Sequence, residues 1–146
     1  MPMRVHSLDK INLVIGGYTP TGLAKGDDCI TFEYDEDAWA VQTGVDGEAC
    51  ADKNLSKAGK LTLKLMASSA SNAVLSAMFW AQYASGLPLP IFQNDGLGTS
   101  LLEAPTAMFQ KLPAWTEGQT TGVIAWTFLL NDAYLFLGGN YAQGIV

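Results

Sequence analysis

The stretch from Ile30 to Met66 constrains this chain most, because apolar and polar side chains alternate on both sides of a long polar segment. Ile30, Phe32 and Tyr34 alternate with Thr31, Glu33 and Asp35, and Leu61, Leu63 and Leu65 alternate with Thr62, Lys64 and Met66. Successive side chains of a strand point to opposite faces, so each run predicts one apolar and one polar face. The pattern predicts a strand over Ile30–Thr43, a connection over Gly44–Ala58 and a returning strand over Gly59–Met66. The connection, GVDGEACADKNLSKA, is too long for a tight hairpin and too polar for a core. Long structureless loops are uncommon in small domains and are usually functional or disordered. We expect this one to contact other copies of the chain.

A length of 146 residues suits one domain with its own core. Charged residues make up only 15%, against about 25% in an average soluble domain. So little charge leaves sparse material for a solvated surface and suggests that partners cover much of it. The net charge of −6 argues against a protein that grips nucleic acid through phosphate contacts from Lys and Arg. The N-terminal MPMRVHSLDKINLVIGG lacks a signal-peptide pattern, since its apolar run Ile11–Ile15 is too short. No run approaches the roughly 18 apolar residues of a membrane helix, so a cytoplasmic chain without membrane insertion is expected. Cys29 and Cys50 have no metal-binding spacing and are expected as reduced, half-buried thiols.

Strands are also expected at Asp9–Ile15, ending at Gly16-Gly17, and at Pro90–Gln93. Asn94-Asp95-Gly96-Leu97-Gly98 is a hairpin signal, followed by a strand over Ser100–Met108 interrupted by Pro105. Leu112–Gly118 is expected as a loop, Gly122–Leu130 as a strand apolar on both faces, and Ala133–Leu137 as a last short strand. Between Met66 and Pro88 the period changes. Val74, Leu75, Met78, Phe79, Gln82 and Tyr83 fall on adjoining faces of a helix over Asn72–Ala84, with Ser71 as N-cap and Gly86 as stop. Val74, Leu75, Met78 and Phe79 are its expected core residues, while Trp80 projects away from the stripe. An arm over 1–8 and a tail over 138–146 flank the domain. The sum is a mainly β fold, two packed antiparallel sheets in a β-sandwich or barrel, with one flanking α-helix.

Catalytic patterns are missing. The one histidine, His6, lies in the N-terminal arm, leaving a histidine-based triad without a base in the core. Zinc sites need clustered His and Cys. A calcium loop counted from Asp35 fails because Trp39 and Ala40 occupy its fifth and sixth positions. The acids from Asp27 to Asp52 form one local crowd without an aromatic platform, a poor setting for paired glycosidase carboxylates. No enzyme activity and no cofactor are expected.

The order of features resembles the tail tube proteins of contractile-tailed bacteriophages. The resemblance is carried by Gly16-Gly17, Gly26, the ITFEYDEDAW run over Ile30–Trp39, GVDGE over Gly44–Glu48, the Leu-alternating Lys60–Leu65, and the SxSNxVLS helix start over Ser69–Ser76. It implies a fold shared with the tube ring protein of type VI secretion. Hexameric rings stack into a tube inside a sheath, alongside tape-measure and baseplate proteins, and DNA leaves through the lumen without specific binding. Such a virion protein is assembled in the host cytoplasm. On this basis the 44–58 connection is expected between rings, with contacts from Asp46, Glu48, Asp52, Lys53 and Lys57. Thr31, Glu33, Asp35, Thr62, Lys64 and Thr127 are expected to face a polar, net negative lumen. The alternatives are a β-sandwich that binds a ligand or carbohydrate through Trp80 or Trp115, and a capsid, baseplate or other tail component.

Overall fold

The computed structural model describes residues 4–5, 11–24, 26, 28–96, 98–138 and 142–143. His6, with most of the expected arm and tail, lies outside them. Strands β1 (Arg4–Val5), β2 (Ile11–Ile15), β3 (Ile30–Tyr34), β4 (Trp39–Thr43), β5 (Ala49–Lys53) and β6 (Gly59–Met66) precede helix α1 (Ser71–Ser85). Strands β7 (Leu89–Asp95), β8 (Leu101–Lys111), β9 (Val123–Leu130), β10 (Tyr134–Phe136) and β11 (Ala142–Gln143) follow it. The chain is mainly β with one helix, and among the described residues no helix is long and apolar enough to cross a membrane.

The largest sheet is antiparallel, in the order β2-β7-β8-β9-β6-β3 with β10 added beside β8, and it curls into a half-barrel. Register explains its core. Leu61 pairs with Phe128, Leu63 with Trp126 and Leu65 with Ile124 across β6 and β9, and β3 adds Phe32 opposite Leu61 and Ile30 opposite Leu63. One face of three strands is thereby apolar row by row. Leu61, Leu63, Leu65, Trp126, Phe128 and Leu130 are fully buried there, each stabilising by about 1.5–3 kcal/mol relative to exposure. Gly59 admits no side chain, since a Cβ would stand 2.7 Å from the Phe32 ring and from the Glu33 carbonyl. Where the half-barrel stays open, Ile11 of β2 and Ile30 and Phe32 of β3 line a common cleft of about 190 Å³ with Leu101, Leu102 and Leu135.

One expected break is absent and one expected strand is broken. Pro105 does not interrupt its strand, because β8 runs through it from Leu101 to Lys111. The break lies in the partner instead. Strands β9 and β10 keep one register along β8, with Ala107 opposite Leu130 and Glu103 opposite Tyr134, so the gap at Asn131–Ala133 faces Pro105, which has no N–H to give a ladder. Conversely, Ile30–Thr43 is not one strand: the chain bends at Asp35–Glu36 and leaves the half-barrel. The sequence signal for this is a change of phase. Apolar residues sit at Ile30, Phe32 and Tyr34 before the acidic run and at Trp39 and Val41 after it, which a single alternation cannot accommodate.

Helix α1 starts one residue earlier than expected. Its N-cap is Ala70, without a side-chain capping bond, and Ser71 is inside the helix and fully buried. At the other end Gly86 takes φ 70° and its N–H donates to the Gln82 carbonyl at 2.7 Å, a left-handed stop that favours glycine. Leu75 is fully buried. Val74, Met78 and Phe79 are half-buried, Met78 and Phe79 against the core, while Tyr83 is exposed rather than part of the buried stripe.

Candidate assembly surfaces

The outward face is polar on β3 and most of β6, while β9 sets Val123, Ala125 and Leu129 around Thr127. Thr31, Thr62 and Thr127 are successive cross-strand partners and form one threonine row. Beside it, Glu33 pairs with Lys60, which pairs with Leu129. On the other side Lys64 Nζ donates to Asp28 Oδ2 at 2.8 Å, and this hydrogen bond, with the lysine charge, holds the Asp28 carboxyl below its usual range. Asp28 also turns its carbonyl toward the Thr31 hydroxyl. Five of the six residues expected at a lumen, Thr31, Glu33, Thr62, Lys64 and Thr127, share this face. Asp35 lies just past the end of β3, exposed, with its N–H bonded to the Ala58 carbonyl at 3.0 Å. Lys60 belongs to the face as well. The alternation that selects Lys64 also selects Lys60, which sequence reasoning passed over.

The expected polar loop over 44–58 is not structureless. Its Ala49–Lys53 part is β5, which pairs with β4 as a hairpin, Trp39 opposite Lys53 and Thr43 opposite Ala49. All ten strand residues are exposed, and this two-stranded sheet is separate from the half-barrel. The turn is closed by Gly44 N–H to the Glu48 carbonyl at 2.7 Å and Gly47 N–H to the Gly44 carbonyl at 3.0 Å, with Asp46 Oδ1 accepting the Glu48 N–H. At the base Asn54 N–H donates to the Ala38 carbonyl and Asn54 Nδ2 to Glu36 Oε2. Register sorts the side chains into two faces. Trp39, Val41, Thr43, Ala49, Ala51 and Lys53 share one, and Ala40, Gln42, Cys50 and Asp52 the other, where Gln42 Nε2 donates to Asp52 Oδ2.

The five residues expected between rings are therefore dispersed. Asp46 and Glu48 sit at the turn, Asp52 and Lys53 point to opposite faces, and Lys57 lies in the connection, where its carbonyl accepts the Ala133 N–H. None of the five forms an ion pair among the described residues. The thiols also differ from expectation: Cys29 is buried and Cys50 exposed.

The helix start has a specific job. Ser71 Oγ accepts the Thr21 N–H at 2.8 Å and lies 2.9 Å from the Tyr18 hydroxyl, while Ser69 Oγ donates to the Thr21 carbonyl. Asn72 Oδ1 accepts the Trp126 indole N–H at 3.0 Å, and its Nδ2 donates to the Met66 carbonyl. The SxSN run thus ties the segment after Gly16-Gly17, the end of β6 and the core of β9 to one helical turn. Further along, Gln82 Nε2 donates to the Ala107 carbonyl and Gln82 Oε1 accepts the Phe109 N–H, satisfying β8 beyond the end of β7. Trp80 is exposed on the helix, edge-on to Phe79 and Tyr83, and Trp115 is exposed in the 112–122 loop, its indole N–H bonded to Glu117.

A family model for the bacteriophage PhiTE tail tube protein matches residues 11–138. The chain belongs to that tail tube family. The match covers every strand of the half-barrel, the hairpin and the helix. No curated protein sequence matches it. Solved structures show the same fold at low identity. The anti-feeding prophage cap, described as a tube terminating cap, is 10% identical with a TM-score of 0.57, covering 93% of each chain. A chain of the sheath-tube complex of an extracellular contractile injection system, PVC, in its extended state is 11% identical with a TM-score of 0.54, covering 90% of this chain and 91% of that one. A chain of the PVC sheath/tube terminator is 10% identical with a TM-score of 0.54, covering 90% and 96%.

Proposed function

We infer that this tail tube family chain is a non-enzymatic virion subunit whose hexameric rings stack into the inner tube of a contractile tail. The tube carries DNA through its lumen, lies within a sheath and has tape-measure and baseplate proteins as partners. Assembly takes place in the host cytoplasm. The observation that carries this reading is the β4–β5 hairpin, exposed on both faces and outside the half-barrel. An isolated two-stranded hairpin is at best marginally stable in water, and one face here carries Trp39, Val41, Ala49 and Ala51. A neighbouring ring supplies the missing cover. The face with Thr31, Thr62 and Thr127 borders the channel, opposite the side that packs the core.

Replacing residues 40–52 by a short Gly-Ser turn tests this. The half-barrel shares no ladder with the hairpin, so the variant should stay folded and form rings but no long tubes by negative-stain electron microscopy. Tubes of normal length from the variant would refute the inter-ring role. Because caps and terminators share the fold, the wild-type protein has its own criterion: a tube subunit polymerises into rods, whereas a terminator stops at a single ring.

A further inference from the structure

We propose that the β3–β6–β9 face is a charge-compensated wall, on which Asp28 and Glu33 cancel Lys64 and Lys60, so that a polyanionic polymer meets a neutral surface of threonines on all three strands and apolar side chains on β9. This rests on the reading that the face borders the channel. The sequence alone suggested a net negative wall, because it counted Glu33 and Asp35 against Lys64. Register changes the balance. Lys60 stands directly opposite Glu33, and opposite charges so placed attract. Asp28, from the turn before β3, is bonded to Lys64. On this face Asp28 is ion-paired with Lys64, Glu33 stands opposite Lys60 in register, and between the two positions runs the row of Thr31, Thr62 and Thr127. At the margins one acid, Asp35, and one lysine, Lys111 in register with Thr127, again balance in sign.

The physical consequence follows from the density of phosphate charge along duplex DNA. Free lysines repeated around a ring and along stacked rings would hold the polymer through counterion release. A wall of uncompensated acids would avoid that hold, but it would oppose entry of the polymer at low ionic strength. Pairing each lysine with an acid removes both effects. Threonine hydroxyls, which exchange hydrogen bonds with water, and the apolar Val123, Ala125 and Leu129 remain, none of them charged. Asp28 and Glu33 are then masks, and removing them should expose a latent binding surface.

The test uses the full-length Asp28→Asn, Glu33→Gln double variant with fluorescent duplex DNA as the probe, on unassembled subunits and on assembled tubes. Wild-type subunits should show no saturable binding at low salt. The variant should bind, with a slope of log affinity against log salt steeper by about 1.8 per subunit, the value for two released phosphate neighbours. Adding Lys60→Gln and Lys64→Gln should abolish the gain. Binding no stronger than wild type by the folded variant, or a gain that survives loss of both lysines, would overturn the masking. Should the double variant misfold, Glu33→Gln alone, at an exposed side chain, carries the same test with about half the slope change. Tubes separate the two levels. DNA bound inside variant tubes supports both masking and the channel position; DNA decorating their outer surface sustains the masking and overturns the channel position.

Discussion

Ser71 shows how one side chain decides a local fold. A serine before an apolar helical stripe suggests an N-cap, but here the hydroxyl turns inward to the Thr21 N–H and the Tyr18 hydroxyl and is fully buried. Ser71→Ala would remove the acceptor of the Thr21 N–H, and because Thr21 is itself exposed the loss is that of an ordinary hydrogen bond, about 0.5–1.5 kcal/mol. The expected result is a lower urea midpoint at unchanged slope. A midpoint equal to wild type would mean that Thr21 finds another acceptor. The partner lies fifty residues away in sequence, and that is why the role was illegible. Capping rules see only neighbours, and here a tertiary donor, the Thr21 N–H, takes the place of the local one. Lys60 is the opposite case, since strict alternation along β6 already put it beside Thr62 and Lys64.

At the scale of elements, legibility tracked how completely the chain itself satisfies each one. Strand β6 was expected over Gly59–Met66 and occupies those residues, and β9 begins one residue inside its expected range. Both are paired on two edges and packed on one face; β6 shows this as plain period two in its sequence, whereas β9, apolar on both faces, shows it only in its burial. In the β4–β5 hairpin, unsupported by its own half-barrel, Trp39–Thr43 reads in the sequence as the end of the preceding strand and Ala49–Lys53 as loop. Its phase change after Tyr34 was the available clue. The helix yields a graded prediction. Leu75 is fully buried, so Leu75→Ala should cost about 2–5 kcal/mol. Phe79 is half-buried, stacked near Tyr83 and edge-on to Phe109, and Phe79→Ala should cost less. Thermal unfolding of the two variants checks the order, and a larger loss for Phe79→Ala would place the helix's main anchor on its aromatic side.

For the whole molecule, the half-barrel leaves β2 and β3 as open edges, and the hairpin stands clear of it. Open edges normally invite uncontrolled pairing. On the proposed reading they are where copies meet, and a head-to-tail contact that closes gives rings. Sequence pattern exposed the strands but not which of them would stay unpaired. That depends on curl and on strand order, which arise from pairings distant along the chain.

If a neighbouring ring covers the hairpin as proposed, stability is not a property of one chain alone. Whatever burial Trp39 and Val41 achieve comes only with a second molecule, so dilution withdraws it. By mass action the unfolding temperature should climb with protein concentration, since the associated form binds partners that the unfolded chain cannot. Calorimetric scans at two concentrations a hundredfold apart should differ for the wild type and coincide for the chain lacking residues 40–52. Coincident wild-type scans would show that the hairpin is stable uncovered. Maturation of this protein and growth of its polymer are, on this view, a single coupled equilibrium.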